Sequence, residues 1–289
     1  MRVQHIHKVM ASVKCWIEHT LLDKGDAFTN YSGFFYDVKD IFNNYYTYSL
    51  PFQPLVANAA ISGANVMTGV YLDNTFITTG QSGLAHINYE KGQVYFENEI
   101  TASHTRLSGN FSVAEFNVKI TSSPEEELLF ETKHEIKPKA GFTFITGLSP
   151  NDTTFPVVYI KDFGGRLDPF AFGGLDKEMI NVRMLVFADS QFGADAVGSI
   201  FKEKARTLIP LLTGVEEMPF DDFGDYTNGL YNYRALTAGR NIMSNSMWIE
   251  NVDVSSLPGS AYSEIRKINP HVFIKLIDLY LESVRNPRI

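Results

Sequence analysis

The residues that could bind a metal ion or attack a substrate are few and widely spaced in this sequence. Cys15 is the single cysteine, which excludes an internal disulfide and a cysteine-based zinc cluster. His5 and His19 fall on one predicted helix, about 21 Å apart at 1.5 Å per residue, so they cannot share a metal ion. The other histidines lack the spacing of zinc ligands: His7, His86, His104, His134 and His271. Three of these, His86, His104 and His134, could converge on a sheet. We therefore predict no metal site.

Ser190 is the best-placed candidate nucleophile, because it follows a predicted strand and precedes a predicted helix. The sequence Ala-Asp-Ser-Gln-Phe around it lacks both glycines that let a hydrolase serine adopt its strained turn, so we interpret Ser190 as a helix cap. The acidic residues within 221–225 could offer oxygens to calcium, but without the pattern of an EF-hand loop we interpret them as a solvated loop, with a weak cation site as the alternative. No phosphate-binding or dinucleotide-binding glycine pattern occurs. We predict no catalytic residue, no cofactor and a chain that is not an enzyme.

The composition is that of a folded globular protein. Of the 289 residues, 44% are hydrophobic and 20% are charged, and the 22 Phe and 14 Tyr far exceed what a disordered chain contains. No run of about eighteen apolar residues exists, which argues against a membrane span. The net charge of −8, without a basic block, argues against binding of nucleic acid by bulk charge. Charged residues near the N-terminus interrupt any signal-peptide core, so we expect an intracellular protein, or one that is assembled inside a cell before its release.

The densest group of aromatic residues lies between Phe28 and Phe52, where ten of twenty-five residues are Phe or Tyr. Asn, Ser, Asp and Gly separate them, and neither a helical nor a strand period persists. Such a segment must pack on its own core or on another subunit. We favour an arm laid on a neighbouring subunit, because irregular segments with polar interruptions reach across interfaces more readily than they fill cores. The predicted interface residues are Phe34, Phe35, Tyr36, Phe42, Tyr45 and Tyr46.

Around this segment, the hydrophobic spacing predicts one helix and then many strands. Apolar residues at three- and four-residue steps indicate a helix over residues 3–22. Alternating apolar residues and turn signals indicate strands from about residue 55 to residue 160. Within that range we predict hairpins around Asp73-Asn74 and over residues 86–96, and a turn at Gly109-Asn110.

The pattern changes after Gly173-Gly174. It predicts a strand buried on both faces over residues 182–188, a helix over 195–212, and strands over 248–254 and 271–284. We therefore predict an α+β fold, in which the N-terminal helix and a C-terminal strand–helix–strand core carry a β-rich, hairpin- or sandwich-like insertion. The predicted domains are the helix and aromatic arm at 1–54, the β-rich domain at 55–170, and the α+β domain that completes the core at 171–289.

The hairpin over residues 87–96 resembles one that recurs in neck and tail proteins of tailed bacteriophages. Its sequence is Ile-Asn-Tyr-Glu-Lys-Gly-Gln-Val-Tyr-Phe, and the segment from Leu107 to Val118 is similar to the strand that follows it in those proteins. The order of elements, with residues 182–189 leading into the helix over 195–212, also resembles tail-terminator and tail-completion proteins. Those proteins form rings where a phage tail joins its head.

This resemblance implies a structural subunit of a virion, assembled in the host cytoplasm as a ring-forming component of the head–tail neck or the tail. Its implied partners are copies of itself, other neck or tail proteins, and DNA that passes through without specific recognition; no membrane is involved. A chain without disulfides suits assembly in a reducing cytoplasm, and abundant aromatic residues suit a large permanent interface. The alternatives are a β-rich carbohydrate- or partner-binding module and, after it, a hydrolase.

Overall fold

A computed structural model describes ten stretches of the chain, which contain sixteen strands and three helices with defined ends. In these stretches, no helix is both long enough and apolar enough to cross a membrane. The described residues are 5–42, 44–100, 106–124, 127–128, 136–137, 153–169, 176–212, 229–239, 246–256 and 272–285.

The N-terminal helix α1 (His5–Gly25) confirms the helix predicted over residues 3–22. Residues 9–17 are all buried, so this part of the helix is enclosed on every side, and the predicted apolar stripe includes the fully buried Val9, Val13 and Ile17. The ring of Trp16 lies 5.5 Å, between centroids, from the ring of Phe201 in helix α2 (Gln191–Lys202). The two helices pack on each other and against the largest sheet.

Two four-stranded sheets are built between Phe28 and Ala114. Their strands are β1 (Phe28–Phe34), β2 (Tyr36–Phe42), β3 (Tyr45–Ser49), β4 (Gly69–Leu72), β5 (Thr75–Thr78), β6 (Leu84–Asn88), β7 (Gln93–Phe96) and β8 (Leu107–Ala114). One sheet has the order β1-β8-β4-β5 and the other the order β2-β3-β7-β6. Because Phe35 alone separates β1 from β2, the chain passes from one sheet to the other at this residue.

The largest sheet has six strands in the order β14-β15-β16-β13-β12-β9. They are β9 (Asn117–Ile120), β12 (Val157–Pro169), β13 (Asp176–Ala188), β14 (Leu208–Pro210), β15 (Ser246–Ser256) and β16 (Phe273–Arg285). All neighbours in this sheet are antiparallel except β9 and β12. The remaining elements are a short parallel pair, β10 (Ile136–Lys137) and β11 (Thr153–Thr154), and the helix α3 (Tyr233–Thr237).

β12, β13 and β16 each have a buried end and a more exposed end, whereas β15 is buried at Ser246, Met247 and Ile249 and mostly exposed over 250–256. At the buried end, one face packs with α1 and α2, and a second apolar cluster including Tyr159 and Phe187 lies on the other face. At the exposed end, the six successive residues 162–167 of β12 are all exposed to solvent. We name this end the distal sheet; it comprises 161–169 of β12, 176–183 of β13, 278–285 of β16 and 246–253 of β15.

The predicted α+β fold class is wrong, because the chain is mostly β. The predicted C-terminal strand–helix–strand core belongs to the six-stranded sheet, and the aromatic segment forms β1, β2 and β3. No strand period is visible there because the alternation is interrupted twice. The chain changes sheet at Phe35, and the pairing of β2 with β3 shifts between Asp37 and Ile41. Each irregularity resets which residues face the core.

Several individual elements confirm the sequence analysis and two correct it. Asp73 and Asn74 form the predicted hairpin turn, with φ of 48° and 64°, and the last described segment is the predicted strand. The predicted turn at Gly109-Asn110 is wrong, because both residues lie inside β8. The helix predicted over 195–212 ends at Lys202. There the chain turns, with φ of 63° at Arg206, and continues into β14.

The large sheet joins strands from both sides of residue 170. β9 and β12 come before it, and β13 to β16 come after it. One continuous apolar cluster extends from α1 through both small sheets to the large sheet. The division into three domains stays a prediction.

Candidate functional site

Cys15, His19 and Asn58 are residue types that can supply a thiol nucleophile, its base and an orienting amide. Cys15 lies one turn before His19 on α1, and Asn58 Nδ2 is 3.1 Å from His19 Nδ1. Burial raises the pKa of the Cys15 thiol, and the Glu18 carboxylate raises it further, so the thiol stays protonated and unreactive. Asn58 Oδ1 accepts the backbone N–H of Tyr233 at 3.1 Å. The group therefore anchors neighbouring segments to α1 and does not form a thiol catalytic site.

A second polar group lies on the same side of α1. Lys14 pairs with Glu18, and the Tyr231 hydroxyl donates a hydrogen bond to the other Glu18 oxygen at 2.9 Å. The cavity beside them has a volume of about 50 Å³, which suits one or two water molecules and no larger ligand. His19 stacks on the ring of Tyr233 at 4.4 Å between centroids, and burial lowers the pKa of His19. This group also holds the fold together.

The remaining sequence candidates that can be placed have structural contacts. Ser190 Oγ accepts the backbone N–H of Gly193 at 3.1 Å, which confirms its interpretation as the cap of α2. His5 Nε2 lies 3.0 Å from a carboxylate oxygen of Glu178 on β13. Within the described stretches, no group of three His, Cys, Asp or Glu side chains is arranged to hold a metal ion. Other candidates lie outside the described residues: His104, His134, His271 and the acidic run 221–225.

The six predicted interface aromatics have different environments. Phe34, Tyr36 and Tyr45 are 48%, 53% and 37% exposed. Phe35 is 1% exposed and packs in the main core beside Gly109 of β8, so it is not available to a neighbouring subunit. Tyr46 is partly buried against the same core. The side chain of Phe42 lies outside the described residues.

Other rings of the aromatic segment pack on their own chain. Tyr31 stacks on Phe52 with 4.7 Å between centroids, and both lie near Phe111 of β8. Tyr48 meets Phe96 of β7 edge-on at 5.7 Å. Much of the segment therefore contributes to the core of its own subunit, and a contact with another subunit through its exposed rings stays a prediction.

Within the described residues, the large sheet has two open edges, one along the distal part of β12 and one along the outer part of β15. β12 pairs with β9 only over 157–160, and no strand in the described part of the chain pairs with the outer edge of β12 over 161–169. On the opposite side, β14 pairs with β15 over 246–248, and backbone hydrogen bonds from this side extend to Ile249. Likewise, no strand in the described part of the chain pairs with the outer edge of β15 over 250–256. Unpaired N–H and C=O groups along a strand edge are a template for another strand.

Sequence reasoning missed this surface because β12 contains residues that usually end a strand. Gly164 and Gly165 interrupt its pattern, and the strands predicted in this part of the chain end at about residue 160. Gly164 has φ of +89° and forms a bulge, after which the pairing with β13 resumes. A Cβ atom on Gly165 would lie 2.3 Å from the backbone oxygen of Met179, so this close approach requires glycine. The glycines continue the strand instead of ending it.

One face of the distal sheet carries charged side chains in pairs. The Arg183 guanidinium donates to both carboxylate oxygens of Asp278, at 2.7 and 3.0 Å, and lies 3.9 Å from the ring centroid of Phe163. Arg166 Nε is 2.9 Å from Asp168 Oδ2, although the Arg166 side chain is 71% exposed. Such pairs fix the positions of the charges, which is what recognition of a charged partner requires.

Two carboxyl groups meet on this same face. Glu282 pairs with Lys177, and a hydrogen bond to Glu282 raises the pKa of Glu250. Beside them lies a groove of about 360 Å³, lined in part by Arg166, Asn181 and the two glutamates. Its volume is in the range of small-ligand sites, and its lining combines these polar groups with apolar ones such as Met179 and Leu281.

No protein-family model matches the chain, and no curated protein matches it. The function is therefore inferred from the fold, its exposed surfaces and the chemistry that these surfaces carry.

Proposed function

We propose that this chain is a structural subunit that forms a ring with copies of itself, as a component of the neck or tail of a tailed phage. The observation that carries the proposal is the pair of open edges that the described residues leave on opposite sides of the large sheet. A subunit with two different, complementary edges makes head-to-tail contacts, which generate a closed ring when the rotation between copies closes. The resemblance of the hairpin over residues 87–96 to phage neck and tail proteins supports the same class of protein.

The directions of the strands also support a ring. Three antiparallel pairings, β12 with β13, β13 with β16 and β16 with β15, separate the two edges. The edge strands β12 and β15 therefore run in opposite directions. Neighbouring copies in a ring are related by a rotation about an axis to which the strands are tilted by much less than a right angle, so β15 of the next copy would meet β12 as an antiparallel partner. The alternation of the sheet would continue from one copy to the next.

The proposed partners are copies of the chain, other neck or tail proteins, and DNA that passes through the ring, in a virion assembled in the host cytoplasm. The net charge of −8 supports passage without retention, because an acidic protein repels the phosphate backbone. We expect no retention of double-stranded DNA in a mobility-shift assay at about 150 mM salt. A salt-dependent complex would contradict the proposed relation to DNA.

The direct test is the mass of the purified chain, measured by analytical ultracentrifugation and by native mass spectrometry. We expect a particle whose mass is a multiple of the 32.5 kDa subunit and a ring in negative-stain images. A monomer at every concentration, including at tens of micromolar, would refute the proposal. A symmetric dimer would also contradict it, because a two-fold contact uses the same patch twice.

A second candidate function comes from the groove on the distal sheet. Its volume of about 360 Å³, with guanidinium, amide and carboxyl groups around it, is compatible with a carbohydrate-binding module. A monomer that binds members of a glycan panel, and loses this binding on Asn181→Ala, would favour it over the ring. A ring without glycan binding would exclude it.

A further inference from the structure

The open parts of the two edge strands do not lie at the same level of the sheet. The open part of β12 runs from Lys161, which is opposite Arg183 of β13, to Pro169, which is opposite Asp176. We number each level across the sheet by the β13 residue that lies there, so the open part of β12 spans levels 176–183. Residues 251–256, the open part of β15, lie opposite residues of β16 that are in turn opposite residues 181–186 of β13. The open part of β15 therefore spans levels 181–186. If two copies met without a stagger, only levels 181–183 would be open on both sides.

A stagger of four residues removes this mismatch. If the next copy is displaced by four residues along the strands, levels 176–183 of β12 lie beside levels 180–187 of β15 in that copy. These include all of its open levels, 181–186. A shift of two or six residues leaves part of the open edge of β15 without a partner. An even shift is required in any case, because an odd one would place the two faces of the sheet in opposite orientation. A closed sheet needs a stagger of this kind, since its strands tilt relative to the ring axis.

The stagger brings a positive side chain opposite a negative one. Arg166 is directly opposite Met179, at level 179. Asp253 is opposite Asp278, which is opposite Arg183, at level 183. The difference between these levels is four, and both side chains lie on the charged face of the sheet because opposed residues share a face.

The other pairs of this register are also compatible. The exposed Leu167, at level 178, falls opposite Val252, at level 182, on the other face. By the same count, Asp168 falls opposite Asn251 and Asp162 opposite Ser256. No carboxylate faces another carboxylate across the contact. Like charges placed directly opposite each other would destabilise it.

We propose that β12 of one copy pairs antiparallel with β15 of the next copy at a stagger of four residues, and that Arg166 binds Asp253 of the next copy. This inference rests on the proposed ring. The Arg166 guanidinium has five N–H donors, so it can keep its contact with Asp168 while it binds a second carboxylate. The pair selects the register and the direction of growth, because it forms only between the two different edges.

Charge reversal tests this pair. Arg166→Glu and Asp253→Arg, each alone, should weaken ring formation about tenfold or more, because each places two like charges together. The double variant restores opposite charges and should recover assembly to within about threefold of the wild type. Lys91→Glu and Glu97→Arg make the same charge changes at exposed positions outside the large sheet, so they should assemble normally. Circular dichroism checks that every variant is folded.

Cysteine cross-linking tests the register independently. Asp168→Cys combined with Asn251→Cys should give disulfide-linked ladders of subunits under mild oxidation, whereas Asp168→Cys with Ser255→Cys should not, because that pair is offset by about 13 Å along the strand. A link within one copy is impossible, since three strand spacings of about 4.8 Å each separate β12 from β15. The native Cys15 is buried and does not compete.

The outcomes separate this inference from the proposed function. A wild-type chain that stays monomeric refutes both. A wild-type ring whose assembly is unaffected by the charge reversals, or that cross-links equally through Ser255, leaves the ring proposal standing and overturns this register. Loss of assembly in the single variants, recovery in the double variant and selective cross-linking through Asn251 establish it.

Discussion

Three consecutive aromatic residues provide a test of whether the aromatic segment stabilises its own subunit or binds another. Phe35 is 1% exposed, whereas Phe34 before it and Tyr36 after it are 48% and 53% exposed. Phe35→Ala should therefore destabilise the isolated subunit, and Phe34→Ala should affect it little. The two substitutions remove the same atoms from adjacent positions, so the difference between them measures burial alone.

The magnitude follows from the position of Phe35 in the core. Transfer of a fully buried Phe side chain out of water contributes about 1.5–3 kcal/mol. Truncation also leaves a cavity beside Gly109, which has no side chain to fill it. The sum for a buried Phe→Ala change is about 3–5 kcal/mol. For the half-exposed Phe34, only part of the transfer contribution is lost and no closed cavity forms, so we expect about 1 kcal/mol.

The assay is denaturant unfolding followed by tryptophan fluorescence, together with the oligomer mass of each variant. The midpoint should fall clearly for Phe35→Ala and only slightly for Phe34→Ala, with an unchanged slope. If the exposed rings contact another subunit, Phe34→Ala and Tyr36→Ala should reduce assembly while their midpoints stay near that of the wild type. Equal midpoints for Phe34→Ala and Phe35→Ala would refute the placement of Phe35 in the core.

Three other positions give further tests. Cys15 should react with a thiol reagent only after unfolding, because its thiol is buried and protonated; rapid labelling of the folded chain would contradict this. Gly92→Ala should cost about 1–3 kcal/mol in denaturant unfolding, because a Cβ atom would lie 2.3 Å from the Phe52 backbone oxygen; an unchanged midpoint would exclude this close approach. Arg106 holds the pKa of Asp73 below its ordinary value of 3.8. The stability that this exposed pair contributes is therefore present above pH 3.8 and lost as the pH falls below it. Arg106→Gln should abolish this pH dependence of stability and raise the Asp73 pKa measured by NMR.

The helix α1 and several hairpins were predictable because their signals are local. The apolar residues of α1 repeat at the helical period, and Asp73-Asn74 can adopt the positive φ angles that a tight hairpin needs. The cap of α2 was also predictable from Ser190, since capping involves a backbone N–H only three residues away. In each case the interaction that fixes the structure lies within a few residues of the signal.

The fold class and the candidate surface depend on contacts between distant residues. The pairing of β1 with β8 joins Phe28 to Ala114, and the pairing of β13 with β16 joins Asp176 to Arg285. Neither pairing leaves a local pattern that identifies its partner. The α+β prediction failed for this reason, and because changes of sheet and shifted pairings hide the alternation of an aromatic strand.

By itself, the sequence determined where the chain can form its first helix and its tight turns, because these depend on backbone conformation and on side chains within one or two turns. Only the tertiary structure decided that Phe35 faces the core while Phe34 and Tyr36 face solvent, and that Arg166 and Asp253 lie on the same face of opposite edges. The physical reason is that a strand acquires its neighbours, and therefore its free edge, only from segments far away in the chain.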